Sequence, residues 1–178
     1  YTYSSAGTYD VYVKDNAGNI SEVKKVTVGQ SDTTPPTGTT TVSATITNQD
    51  TVTVYAKVAD EAGGSGIGRI LILGWYGTSW VSNDTQGTVQ YDSVNDRYYA
   101  TFSLDDIKDT TTGNTNNGEG TYTFKTHVYD NAGNRTITNG VTVTYDTTAP
   151  TITANPSSST TATSEKTIAI TVADAGGA

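Results

Sequence analysis

A chain of 178 residues, 34% hydrophobic and only 16% charged, is too long for one small module and too short for two domains of modal size, and its core material is lean. A net charge of −8 repels a phosphate backbone, so no nucleic-acid partner is expected. The absence of cysteine excludes disulfides, thiolate zinc sites and cysteine nucleophiles, and a single His excludes His-rich metal clusters.

What fills the chain instead is Thr (37 residues), Gly (18) and Tyr (12), and this mixture sets the fold class. Thr and Tyr suit a pleated, half-solvated surface and Gly suits tight turns, so an all-β protein is expected. The longest apolar run, Ile70 to Leu73, falls far short of a bilayer span, and no membrane insertion is expected in this segment. The chain opens at Tyr1 without Met or a leader-like stretch, as a fragment or a processed product would.

In chain order, Gly7-Thr8-Tyr9 opens an alternating strand that runs into the turn Asp15-Asn16-Ala17-Gly18-Asn19, and Val23 to Val28 forms a second short strand. Asp32-Thr33-Thr34-Pro35-Pro36-Thr37 follows as a stiff joint, because proline fixes the backbone and ends strand pairing. Thr39–Thr47 reads as one Thr-rich edge strand, and Val52, Val54, Ala56 and Val58 alternate inward. Arg69–Tyr76 is an apolar strand whose Trp75 suits the central core aromatic of a sandwich. Thr88–Tyr91 and Arg97–Leu104 form a hairpin across residues 92–96, and Leu104–Lys108 has room for one helical turn. Thr121–Tyr129 and Gly140–Tyr145 close the unit.

The chain repeats itself. Gly120-Thr121-Tyr122 leads to Asp130-Asn131-Ala132-Gly133-Asn134 as Gly7-Thr8-Tyr9 leads to Asp15–Asn19, with two additional residues. An even insertion leaves every side chain on its original face. Asp146-Thr147-Thr148-Ala149-Pro150-Thr151 repeats the joint, and Ile168–Asp174 repeats Val52–Asp60. The expected organisation is therefore the C-terminal part of one module (1–31), a linker (32–37), a complete β-sandwich (38–146), a linker (147–151) and the N-terminal part of a further module (152–178). A partial module has open strand edges, so the flanking pieces are expected to fray or to borrow strands from a neighbour.

About seven strands in roughly 110 residues fit an immunoglobulin-like β-sandwich. Gly-Thr-Tyr, the alternating strand, Asp-Asn-Ala-Gly-Asn, a short strand and Asp-Thr-Thr-(Pro/Ala)-Pro closely resemble the tandem bacterial Ig-like repeats of large surface proteins. The central module also resembles related repeats attached to cell-wall hydrolases. The resemblance implies an extracellular, cell-surface or secreted setting, neighbouring Ig-like modules as partners, and roles as stalk, spacer, adhesin or wall-binding arm.

Sandwich topology suggests one site. Strands over 52–59 and 122–129 run the same way, and the first strand begins where both end. Asp32, Asp60, Glu61, Asp130 and Asn134 are thereby expected at one pole, as hard oxygen ligands for Ca²⁺ at the joint between modules, with Asp146 and Asp174 at the next. The alternative for Asp130–Asn134 is self-sufficient turn chemistry. A second candidate is a glycan or cell-wall surface drawn from Trp75, Tyr76, Trp80, Tyr98 and Tyr99, with Tyr91 nearby; strand parity splits adjacent pairs between core and surface. The polar stretch Asp109–Glu119 reads as a solvated loop.

Lys14, Lys57 and Lys125 have outward parity, so no Lys–Asn or Lys–Asp crosslink is expected in the central module; Lys166 has inward parity but lies at a strand start. His127 faces outward without an evident partner, Gly63–Gly68 lacks phosphate-loop spacing, and Asp105-Asp106 diverge as neighbours, so no enzyme is expected. The leading functional reading is a non-catalytic extracellular spacer. The alternatives are a carbohydrate- or wall-binding accessory module of a secreted hydrolase and a strand-exchanging fibre subunit.

Overall fold

The computed structural model describes residues 6–29, 31–76, 81–82, 89–107, 118–155 and 168–174, with the backbone alone at 81–82 and 155. The strands are β1 (Gly7–Val11), β2 (Lys24–Val28), β3 (Thr37–Val42), β4 (Ile46–Thr47), β5 (Thr51–Ala59), β6 (Ile67–Tyr76), β7 (Val81–Ser82), β8 (Gln90–Asp92), β9 (Arg97–Ser103), β10 (Gly120–Asp130), β11 (Arg135–Ile137), β12 (Val141–Tyr145), β13 (Thr151–Asn155) and β14 (Ala169–Ala173). Two sheets face each other between residues 37 and 145. One has the order β3-β5-β9-β8, and the other β4-β12-β10-β6-β7 with β11 paired to β10. This is the arrangement of an immunoglobulin-like β-sandwich, four strands of the A-B-E-D type against a sheet built on C, F and G. Tyr122, near the start of β10, donates its hydroxyl hydrogen to Gly118 O at 2.8 Å, the corner tyrosine of that fold.

Strict alternation builds the core. Val52, Val54 and Ala56 of β5 and Ala100 and Phe102 of β9 meet Ile72 of β6, Tyr122 and Phe124 of β10 and Val143 of β12, all essentially inaccessible. Phe102 and Phe124 meet across the gap with ring centroids 5.2 Å apart and planes tilted by 56°. Trp75 is not the central aromatic that its sequence position suggested. It stands opposite Thr123 on the outer face, half-buried, with Lys125 Nζ 5.6 Å from its ring centroid. The inward position is Gly74, and the Phe124 ring takes the space: a Cβ at Gly74 would lie 2.5 Å from Phe124 Cε1.

The edge strand expected over Thr39–Thr47 is two strands in different sheets. β3 pairs antiparallel with β5, a bend follows at Ser43–Thr45, and β4 pairs parallel with β12. Ser43 Oγ accepts the Thr53 N–H at 3.1 Å, and Thr45 O and Thr47 O accept from Thr144 N and Asp146 N at 2.8 and 3.0 Å. The backbone groups released on one side are thus taken up on the other. Three buried threonines also tie the sheets together. Thr40 Oγ1 lies 2.8 Å from Thr126 Oγ1 and 2.6 Å from Thr138 Oγ1, and Thr138 Oγ1 accepts the Thr126 N–H. The turn expected after Leu104 is present, with the Ile107 N–H donating to Leu104 O at 3.3 Å.

The outer pairs repeat the central registers. Gly7, Thr8 and Tyr9 of β1 oppose Val28, Thr27 and Val26, as Gly120, Thr121 and Tyr122 oppose Tyr145, Thr144 and Val143. Thr37 opposes Ala59 and donates its hydroxyl to Ala59 O at 3.1 Å; Thr151 opposes Ala173 and does the same at the same distance. Among the described residues β1 pairs only with β2 and β13 only with β14, and Ile152, Ile170 and Val172 are exposed.

Candidate functional site

The register of β10 against β6, antiparallel through Tyr129↔Arg69, puts the end of β10 beside the start of β6. β5 ends at the same pole and β3 starts there, because Thr37 opposes Ala59. Asp32, Asp60, Glu61, Asp130 and Asn134 therefore lie at one end of the sandwich.

They divide into two groups. Asp130 is consumed by its own turn: Oδ1 accepts Asn134 N–H at 2.8 Å and Oδ2 accepts Asn134 Nδ2 at 2.7 Å. Asp15 does the same toward Asn19, at 2.8 Å for both contacts, and Gly18 and Gly133 take φ of 99° and 94° to close the loops. Asn134 Nδ2 also donates to Asp32 O at 3.2 Å, which binds the incoming joint to the turn. Asp32, Asp60 and Glu61 form the second group, with one carboxylate oxygen from each within 4.8 Å of the others.

The loop that carries Gly63, Gly64 and Gly66 clasps this group. Ser65 N–H donates to Asp32 Oδ2 at 2.8 Å and Gly66 N–H to Asp60 Oδ2 at 2.6 Å. On its other side the loop holds the turn, through Asn131 Nδ2 to Ser65 O at 2.8 Å and Ala132 N–H to Ser65 Oγ at 3.0 Å. Ser65 was not among the sequence candidates. Its signal was the glycine run itself, which leaves backbone N–H groups free to point at acids. The Ser65 and Thr34 N–H groups, with the Ser65 hydroxyl, hold Asp32 down at about 2. Glu61 is drawn down by its own N–H, but burial and the neighbouring carboxylates of Asp60 and Asp32 outweigh this and raise it. Among the described residues no Lys or Arg forms an ion pair with any of the three. Asp60 Oδ1 is buried without a hydrogen-bond partner. Three crowded carboxylates and one orphaned oxygen suit a hard divalent cation, which takes six to eight oxygens in its Ca²⁺ form.

The opposite pole holds the outgoing joint. Glu119 Oε1 accepts Thr147 N–H, Thr147 Oγ1 and Thr148 Oγ1, each at 2.7 Å, and Oε2 accepts Thr148 Oγ1 at 2.9 Å. The Thr147 and Thr148 donors lower the Glu119 pKa. Asp146 Oδ1 accepts the Thr148 N–H at 2.9 Å, as Asp32 Oδ1 accepts that of Thr34 at 3.0 Å, so both joints start with the same turn.

The aromatic candidates among the described residues are spread over different faces. Trp75 lies on the outer face of the larger sheet, and Tyr76 packs on Tyr122 with centroids 5.1 Å apart. Tyr98 packs against the core with its ring 4.9 Å from Tyr91, while Tyr99 points the other way and donates to Gln90 Oε1. Trp80 and most of the loop 109–119 lie outside the described residues. His127 is on the outer face, and its pKa is lowered by burial and by the charges of Arg135 and Lys125. No helix among the described residues is long and apolar enough to cross a membrane.

No curated protein sequence matches the chain. Residues 77–147, which carry β7 through β12, match the family model of a bacterial Ig-like domain. Domains of this kind are generally non-catalytic structural modules. Strand order, corner tyrosine and matched segment agree, and the central sandwich of this chain is immunoglobulin-like, with its second half similar to a bacterial Ig-like domain.

Proposed function

We propose that the chain is a non-catalytic spacer of a multi-domain bacterial surface protein, in which Ig-like modules follow one another through short joints of fixed direction. The observation that carries this reading is the incoming joint: Asp32 is bound to the sandwich through both its carboxylate and its carbonyl, by Ser65 N–H and Asn134 Nδ2. A loose linker makes no such contacts. The repeated β-registers of the outer pairs support a series of like modules, and the extracellular setting follows the usual location of bacterial Ig-like domains. The acidic exterior favours solubility and resists nonspecific association.

In this reading Ca²⁺ sits at the incoming joint, held by Asp32, Asp60 and Glu61. The ion supplies positive charge that relieves the repulsion among the three carboxylates and gives the unpartnered Asp60 Oδ1 a ligand to bind. Ca²⁺ then raises the melting temperature of the full chain, and EDTA reverses the rise. In Asp60→Ala the rise disappears. In small-angle scattering the maximum dimension narrows in distribution with Ca²⁺ and broadens with EDTA. An unchanged melting curve and unchanged scattering would rule out the ion, and a broad distribution of joint angles under both conditions would rule out the stiff spacer.

A further inference from the structure

We propose that the outer face of the smaller sheet is a binding site for a neutral saccharide, independent of the joints. A depression of about 490 Å³ opens there, lined by Tyr55, Asp92, Ser93, Arg97 and Tyr99. Its volume falls within the usual range for small-molecule sites, about 300–1,000 Å³.

Pairing register creates the cup. Tyr55 of β5 stands directly opposite Tyr99 of β9, so the two rings share one face, and Asp92 of β8 stands opposite Arg97. The walls are set by internal contacts. Arg97 Cζ lies 3.7 Å from the Tyr55 ring centroid, and Arg97 Nε lies 3.2 Å from Asp92 Oδ2. Asp92 Oδ1 accepts the N–H groups of Val94 and Asn95, which fixes the β8–β9 turn, and Tyr91 donates its hydroxyl hydrogen to Asp96 at 2.7 Å. Tyr99 is oriented by its hydrogen bond to Gln90. A ligand would meet a surface ordered in advance, which lowers the entropy lost on binding.

The remaining groups define the ligand. Among the described residues the Tyr55 hydroxyl, the Ser93 hydroxyl and the terminal nitrogens of Arg97 have no hydrogen-bond partner, and all three side chains line the depression. A pyranose ring offers the complement, a C–H face for the Tyr99 ring and adjacent hydroxyls that both donate to and accept from the Tyr55 and Ser93 hydroxyls and accept from Arg97. A neutral sugar is favoured over an anionic one. Asp92 already balances the Arg97 charge, Asp96 is adjacent, and the whole chain carries −8.

The test is an amide NMR titration of the full chain with cello-, chito- and malto-tetraose and with an acidic tetragalacturonate. The expected result is saturable shifts centred on Tyr55, Ser93, Arg97 and Tyr99 with at least one neutral sugar, below about 10 mM. Tyr99→Ala and Tyr55→Phe, each with an otherwise unchanged spectrum, should weaken binding about tenfold or more, by loss of a ring face and of one hydroxyl. The proposal is overturned if no neutral sugar shifts these residues, if the acidic sugar alone does so, if shifts centre on Trp75 instead, or if both variants bind as the parent does.

Discussion

Single atoms decide how this sandwich closes. Gly74 faces inward at the point where Phe124 crosses the gap, so Gly74→Ala must displace a buried aromatic ring in contact with Phe102. Overpacking of this kind destabilises by about 1–3 kcal/mol, to be read from the urea midpoint at unchanged slope. Asp32 provides a second test at this scale. It titrates at about 2 in the folded chain against an ordinary 3.8, so the unfolded state binds more protons in that interval. Its contribution is complete above pH 3.8 and is lost as pH falls through about 2. Stability of the parent should fall through that window relative to Asp32→Asn, whose amide oxygen can still accept the Thr34 N–H. Equal slopes for the two proteins in acid urea titrations would show that the Asp32 charge is not stabilising. Glu61 works in the opposite sense: its raised pKa means that its ionisation at neutral pH opposes folding, as expected of a carboxylate crowded by Asp60 and Asp32.

Strands and joints were unequally legible in the sequence. Alternation over Val52–Val58 and Tyr122–Val128 gave the core faces of β5 and β10, because period-two burial is a local property of a strand. Sandwich topology, with the strands over 52–59 and 122–129 running the same way, gave the pole that holds Asp32, Asp60 and Asp130. The division of the first strand into β3 and β4 was not legible, since a run of threonines suits either sheet and only pairing with β5 or β12 distinguishes them. The cup was hidden for a similar reason: Tyr55, Asp92 and Arg97 come together through two registers, and parity along one strand does not fix either. Parity did separate Tyr98 from Tyr99. Glu119 was absorbed into a polar loop, yet it holds the outgoing joint with both carboxylate oxygens. Glu119→Gln keeps the shape and removes the charge. It should loosen the joint, seen as faster amide exchange at Thr147 and Thr148, with a melting temperature near that of the parent because the contact is exposed.

At the scale of the whole chain the two joints start alike and are secured differently. Asp146 repeats the turn of Asp32, and Asp174 follows β14 as Asp60 follows β5, but Ala175 stands where the first joint has Glu61. The third carboxylate is therefore missing from the second set, while Ala6 occupies the place that Glu119 holds before the second Gly-Thr-Tyr. If the acidic group binds an ion, Ca²⁺ should affect amides around residues 32, 60 and 65 and leave those around 146–148 unmoved, in one titration of one chain. The parallel contact between β4 and β12 has a mechanical consequence. β4 is joined through β3 to the incoming pole, where β3 starts, and it pairs with the last residues of β12, which lead out at the opposite pole. Tension applied through the two joints pulls these strands along their lengths in opposite directions. The Thr144–Thr45 and Asp146–Thr47 hydrogen bonds then bear load together instead of opening one after another, so a two-residue strand acts as the latch of the sandwich under force.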